Sequence, residues 1–149
     1  MSFAQIYNDL LNKVRVAAED AVVNDVAPEV KDIMQEQTGY QVYSYEASAM
    51  ALRMRRVDNG GLGDKRNMVD ITETSTAGLH SEITLTVEDR APFQDGISRG
   101  ISLAQVVETG DKSFRQPYPR PFIAGTQTEA IASGRAYRAL MDGLKRNGF

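Results

Sequence analysis

The sequence predicts an α+β fold in which an antiparallel β-sheet carries N-terminal helices and a long C-terminal helix packed on one face. Near both ends of the chain, apolar residues recur every three or four positions, which is the spacing of an amphipathic helix. Between the ends, short runs rich in β-branched residues alternate polar and apolar positions, as half-buried strands do. Residues 1–149 are therefore expected to form a single domain.

The composition is that of an ordinary globular protein, and it excludes several kinds of site. The chain is 42% hydrophobic and 25% charged, with a formal net charge of −3. It has no cysteine and one histidine, which excludes disulfides, thiolate metal sites and the usual zinc ligand sets. No signal-peptide pattern and no apolar run long enough to span a bilayer occurs. We expect no metal, no cofactor and no membrane association.

The first helix is predicted at Phe3–Ala21, with Ser2 as its N-cap. Its apolar residues alternate between spacings of four and three. They form one narrow stripe: Phe3, Tyr7, Leu10, Val14, Ala17 and Ala21. Such a stripe favours packing along one seam, either on the sheet or against a neighbouring subunit, and a plain core-facing helix is the alternative.

A second helix is predicted to begin at Asn24 or Asp25, because Pro28 then lies in its first turn. Gly39 is its predicted stop. The N-terminal region is therefore expected to hold two helices, or one helix with a kink.

Strands are predicted in the middle of the chain. Gln41–Tyr45 mixes β-branched and aromatic residues, and Leu52–Val57 alternates without a clean apolar face. Met68–Thr72 and Glu82–Val87 have clearer strand patterns, and Glu82–Val87 alternates strictly. The turn Ser75–Gly78 between the last two predicts an antiparallel hairpin.

The stretch Leu103–Phe122 combines a short helix with a stiff, extended segment. Ser102 is a plausible N-cap for the helix, and Gly110 can take the left-handed conformation that ends it. Three prolines then favour extended backbone: Pro117, Pro119 and Pro121. We expect Phe122 to be a buried anchor, with a proline-rich connector as the alternative. The last helix is predicted from about Thr126 to Lys145.

Two segments look like phosphate-binding, calcium-binding or hydrolase motifs, but each lacks residues that those motifs require. The glycine-rich stretch Asp58–Lys65 lacks the Gly-Lys-Ser/Thr ending of a phosphate-binding loop, and Val69 stands where a calcium-binding loop needs a glutamate. His80 lies beside a turn and lacks the Gly-x-Ser-x-Gly motif of a hydrolase. We therefore interpret the glycine-rich loop as a flexible hairpin tip, mobile over residues 59–67 until a partner orders it, and expect no enzymatic activity.

Two sets of short motifs resemble the neck and tail-completion proteins that join head to tail in long-tailed phages. The first set is Ala104 and Val107 leading into Glu108, then Gly110, and then Pro119-Arg120-Pro121-Phe122. The second set is Arg55-Arg56, Gly60-Gly61-Leu62, Asp64 and Asn67. The closing residues 143–149 also resemble the end of those proteins, whereas Thr109 stands where they commonly carry an aromatic residue.

This resemblance implies a virion structural protein at the head–tail junction, assembled in the host cytoplasm. It implies a homo-oligomeric ring, hexameric or dodecameric, with a neck role or a tail-terminating role. The implied partners are the head connector or adaptor, head-closure proteins, and a tail terminator or tail tube protein, with DNA in the ring lumen held without sequence specificity. The implied partner and assembly residues are Arg55, Arg56, Gly60, Gly61, Leu62, Glu108, Arg120 and Phe122.

Two points about individual side chains stay open at this level. Arg120, held extended by Pro121, can place its guanidinium on Glu108, and a solvated Arg120 is the alternative. The basic residues between Arg53 and Arg66 suggest a different function, a small nucleic-acid-binding or regulatory protein. Acidic residues interrupt that cluster, so a solvated surface is its plainer interpretation.

Overall fold

A computed structural model of the chain describes residues 1–44, 60–92, 102–110 and 118–149. It confirms the α+β fold class, with helices at both ends and a two-stranded antiparallel sheet. No helix in these ranges is long and apolar enough to cross a membrane. The elements are α1 (Phe3–Ala21), a π-helical turn (Val22–Val26), α2 (Ala27–Val42), a 3-10 turn (Lys65–Asn67), β1 (Met68–Ala77), β2 (His80–Asp89), α3 (Leu103–Thr109), α4 (Phe122–Ala132) and α5 (Arg135–Arg146).

Helix α1 begins at the predicted cap. The Ser2 hydroxyl accepts a hydrogen bond from the Gln5 backbone N–H, and the Gln5 side chain accepts one from the Ser2 N–H at 2.7 Å. This reciprocal capping box satisfies two backbone donors that a helix start leaves without partners. The bounds of α1 are those that the apolar stripe predicts.

The two N-terminal helices are joined by a π-helical turn. Pro28 has no backbone N–H and its ring clashes with the carbonyl of residue 24, so the regular α-helical ladder cannot continue through this point. The chain widens instead, and the Ala27 N–H bonds to Val22 O, five residues back. The two predicted helices are therefore joined without a loop, through one widened turn.

Helix α2 runs past Gly39, and the predicted strand at Gln41–Tyr45 is wrong over its helical residues. The helix ends at Val42, whose side chain is buried. The hydroxyl of Thr38, also buried, donates to the Met34 carbonyl at 2.8 Å. Burial of this last turn outweighs the β propensity of the sequence. The other predicted strand, Leu52–Val57, lies outside the described residues.

The hairpin forms as predicted, but its turn is shorter. Strands β1 and β2 pair in register from Met68 opposite Asp89 to Ala77 opposite His80. The turn is therefore Gly78 and Leu79, so the prediction of a turn over Ser75–Gly78 is wrong. Gly78 has φ of +62°, and two-residue hairpin turns require a positive φ that glycine adopts easily.

The single C-terminal helix predicted from Thr126 to Lys145 is two helices. Helix α4 already begins at Phe122, and Gly134, with φ of +68°, separates it from α5. The turn brings Arg135 against helix α2, where its guanidinium donates to Glu29 at 2.5 Å and to Glu36 at 2.6 Å. Gly134 is therefore a turn residue, and its positive φ is one that glycine adopts easily.

The core lies where α2, α3 and α4 meet the base of the hairpin. Phe122 is fully buried at its centre. Around it are Met34, Val42, Leu62, Met68, Ala91, Ala104 and Val107. Helix α5 packs separately along the C-terminal half of α1 and the π-helical turn, where Gly143 lies against Ala21.

Two glycines in helices should respond oppositely to alanine. Gly39 has no atom within 4 Å of the position of an added Cβ, so Gly39→Ala should raise the free energy of unfolding by roughly 0.5–1 kcal/mol. A Cβ at Gly143 would lie 2.5 Å from the Cβ of Ala21, so Gly143→Ala should lower it by about 1–3 kcal/mol. Chemical denaturation of both variants measures this contrast, and equal shifts would contradict the packing of α5 on α1.

Candidate assembly interface

The two motif sets identified in the sequence converge on one packed region. Leu62 from the glycine-rich loop and Phe122 after the prolines are both buried, and both belong to the same apolar cluster as Val107. The fold therefore brings together two residues that are far apart in the sequence. We call this region the junction core.

Gly110 allows the two parts of the first motif set to lie side by side. It has φ of +73°, and a Cβ there would lie 2.8 Å from the Pro119 nitrogen. One residue further along, the Arg120 N–H donates to Val107 O at 2.9 Å. Gly110 is therefore needed at this position, because any side chain there would collide with the backbone at Pro119.

Glu108 caps helix α4 and is not the partner that the sequence suggested for Arg120. Its two carboxylate oxygens accept the Ile123 N–H at 2.8 Å and the Ala124 N–H at 3.0 Å. A carboxylate there satisfies unpaired N–H groups and complements the positive end of the helix dipole. The Arg120 guanidinium instead donates to Val42 O at 3.3 Å, where α2 ends. The two side chains thus close the ends of two different helices.

The glycine-rich loop is not a flexible hairpin tip over its described residues, Gly60 to Asn67. The Tyr43 hydroxyl donates to Leu62 O at 3.1 Å, and the Asn67 side chain donates to Gly61 O at the same distance. Buried Leu62 anchors the loop in the junction core. These contacts offset the entropic cost that the glycines impose, which sequence composition could not reveal.

The carboxylates of Asp64 and Asp89 accept hydrogen bonds from backbone N–H groups of this loop. The Asp64 carboxylate accepts bonds from the Arg66 side chain, the Gly60 N–H at 2.6 Å and the Arg66 N–H at 3.0 Å, and these donors hold its pKa well below the usual range. The Asp89 carboxylate accepts the Gly63 N–H at 3.3 Å and the Ala91 N–H at 2.9 Å. Burial nevertheless raises the pKa of Asp89.

Two residues of the basic cluster, Lys65 and Arg66, are among the described residues. Arg53, Arg55 and Arg56 lie outside the described residues. Lys65 pairs with Asp32, and Arg66 pairs with Asp64 at 2.5 Å. The two described cations are therefore engaged by carboxylates of their own chain. Among the described residues, no group of three or more His, Cys, Asp or Glu side chains is placed to hold a metal ion.

Among the described residues, a run of large exposed apolar side chains lies on the N-terminal half of α1. Phe3 is 83% exposed and Leu10 is 52% exposed, whereas Ala17 and Ala21 on the same stripe are buried under α5. A helix of this length is marginal in water unless an apolar face is packed. We call Phe3–Val14 the arm; neither motif set includes any of its residues.

Comparison with known protein families places the chain. The YomN family model matches residues 6–146, which is nearly the whole sequence. The chain belongs to the YomN family. This is a family of the Bacillus phage SPBc2 type, and membership indicates a phage-derived protein. No curated protein and no solved structure matches the chain.

Phe122 should matter far more to this YomN-family protein than His80. Phe122→Ala removes a fully buried ring and should lower the free energy of unfolding by about 3–5 kcal/mol. His80→Ala, at an exposed position where β2 begins, should change it by less than about 0.5 kcal/mol. The loss of unfolding free energy for Arg120→Ala should fall between these two values, because the substitution removes the hydrogen bond to the carbonyl that ends α2. Thermal and chemical denaturation rank the three variants, and similar losses for Phe122→Ala and His80→Ala would refute the junction core.

The loop carboxylate should make stability depend on pH in one direction. Because the pKa of Asp64 is lower in the folded state, its contribution is fully present above the unfolded-state pKa of about 4 and is lost as pH falls toward the folded-state value. Asp64→Asn should therefore be less stable than the natural protein at neutral pH, with a difference that shrinks below about pH 4. Melting temperatures across pH measure this, with exposed Asp142→Asn as the control. A difference that does not vary with pH would contradict the assignment.

Proposed function

We propose that this protein is a structural component of the phage virion, located at the head–tail junction. In this role, copies form a ring with the head connector, adaptor or head-closure proteins on one side and a tail terminator or tail tube protein on the other. Membership of a phage family supports a role in the particle. The motifs that resemble neck and tail-completion proteins support the location.

The exposed arm is the observation that carries the proposal. The junction core is closed within one chain, so the apolar side chains of Phe3 and Leu10 have no role in folding that core. Contiguous exposed apolar surface on a folded domain marks a protein interaction site. A closed core together with an exposed apolar helix face is expected of a protein that acts by assembling with other proteins.

The nucleic-acid alternative receives less support. Lys65 and Arg66 are held in ion pairs with Asp32 and Asp64, which reduces their availability to phosphates. The described hairpin strands carry no lysine or arginine, and their exposed charged residues are acidic: Glu73, Glu82 and Glu88. Such a surface repels a phosphate backbone.

Deletion of the gene in the phage tests the proposal. We expect DNA-filled heads and free tails that fail to join, visible by electron microscopy, and rescue by plasmid-borne natural protein or by His80→Ala. Cryo-electron microscopy of rescued particles that carry a tagged copy should place the tag as a ring at the neck. Joined, infectious particles without the protein would overturn the proposal, as would a tag found only at another place. Salt-sensitive retention of DNA by the purified protein would favour the nucleic-acid function instead.

A further inference from the structure

The apolar stripe of α1 changes in character along its length. At Ala17 and Ala21 the side chains are small, and α5 approaches closely enough that a Cβ on Gly143 would overlap Ala21. From Val14 back to Phe3 the side chains are large and exposed, from 40% at Val14 to 83% at Phe3, and the hairpin tip lines a groove with one side of the helix near Val14. Alternating spacings of four and three along one stripe are the pattern of a coiled-coil seam. One half of this seam is filled within the chain, and the other half lacks a helix.

Helix α5 runs antiparallel to α1 and stops where the arm begins. Gly143 lies near Ala21, the Asn147 side chain donates to Asp20 at 2.8 Å, and Phe149 lies beside Ala17. A second helix that continued along the seam in the direction of α5 would therefore begin at the level of Val14. It would then run past Leu10 and Tyr7 to Phe3.

The arm of another molecule fits this space. If two copies of α1 pack antiparallel, with a twofold axis between Asn8 and Asp9, Phe3 lies opposite Val14 of the second copy and Tyr7 lies opposite Leu10 of the second copy. Because α1 begins at Phe3, the incoming helix starts just beyond the end of α5. The two helices then follow each other head to tail, which aligns their dipoles favourably.

Charge and shape are compatible with this register. Lys13 is the one charged residue flanking the seam between Phe3 and Val14. Antiparallel packing separates the two Lys13 positions by about 13 Å along the helices, beyond the range of strong repulsion at physiological salt. A parallel partner would instead extend along the stripe toward Ala17 and Ala21, which α5 already covers. The antiparallel orientation places the two folded bodies at opposite ends of the paired arms.

We propose that the arm is an interface with a second copy of this chain, packed antiparallel about a twofold axis between Asn8 and Asp9. This goes beyond the proposed ring: subunits of a ring with different partners on its two sides all face the same way, so a twofold arm pair is a separate contact, made outside that ring. It is a property of the purified protein, and it can fail while the location at the neck holds.

Cysteine pairing tests the orientation, because the chain has no cysteine of its own. Phe3→Cys mixed with Val14→Cys in a glutathione redox buffer should give a disulfide-linked heterodimer, because positions 3 and 14 face each other across the proposed pair, within the distance that a disulfide spans. Each variant alone should give little product. Efficient cross-linking of Phe3→Cys alone would show parallel packing and overturn the proposal. Equal cross-linking by a Val16→Cys pair, on the polar side of α1, would also overturn it.

Charge substitution tests the surface. Leu10→Asp should weaken the dimer by about tenfold or more, measured by light scattering across a concentration series. Val16→Asp is a matched control, because Val16 is 53% exposed and Leu10 is 52% exposed on the same helix. Unchanged far-ultraviolet circular dichroism spectra would show that both variants keep their fold. A natural protein that is monomeric at all concentrations, or equal effects of the two substitutions, would refute the arm as the interface.

Discussion

The burial of Phe122 is the constraint on which the rest of this structure depends. Its ring is enclosed by residues from the glycine-rich loop, from α2 and from α3, so three distant stretches of chain are fixed by one side chain. The position of the ring in turn requires Pro119 to pass against Gly110, where no Cβ has room. Because Phe122 is also the first residue of α4, its burial sets where the C-terminal helices start.

The sequence predicted local structure well where a signal and its consequence lie close together. Ser2 caps the helix that it precedes, Gly110 ends α3, and the hairpin strands follow their alternating pattern. Glycine was the less reliable signal, because its effect depends on the surroundings. Gly39 continues a helix whose last turn is buried, whereas Gly134 breaks one so that Arg135 can reach α2.

Long-range partners were beyond the sequence. The cap that Glu108 gives to α4 joins residues fifteen and sixteen positions apart, and no periodicity connects them. The same holds for Arg120 and Val42, and for the carboxylate of Asp89 beneath Gly63. Sequence reasoning marked Glu108, Arg120 and Phe122 as partner contacts. In the fold they hold one chain together, and the exposed surface lies in the arm.

The π-helical turn gives the arm a mechanical property. It carries the backbone past Pro28 without a loop, so residues 3–42 are helical throughout, with a local widening at Val22–Val26. The inner end of that segment is embedded in the core through Met34 and Val42. The direction of the arm is therefore set by the helix that joins it to the core, and no flexible linker lies between them. Because the arm is already held in one direction, binding a partner costs little conformational entropy in the arm, and a small contact surface can be enough.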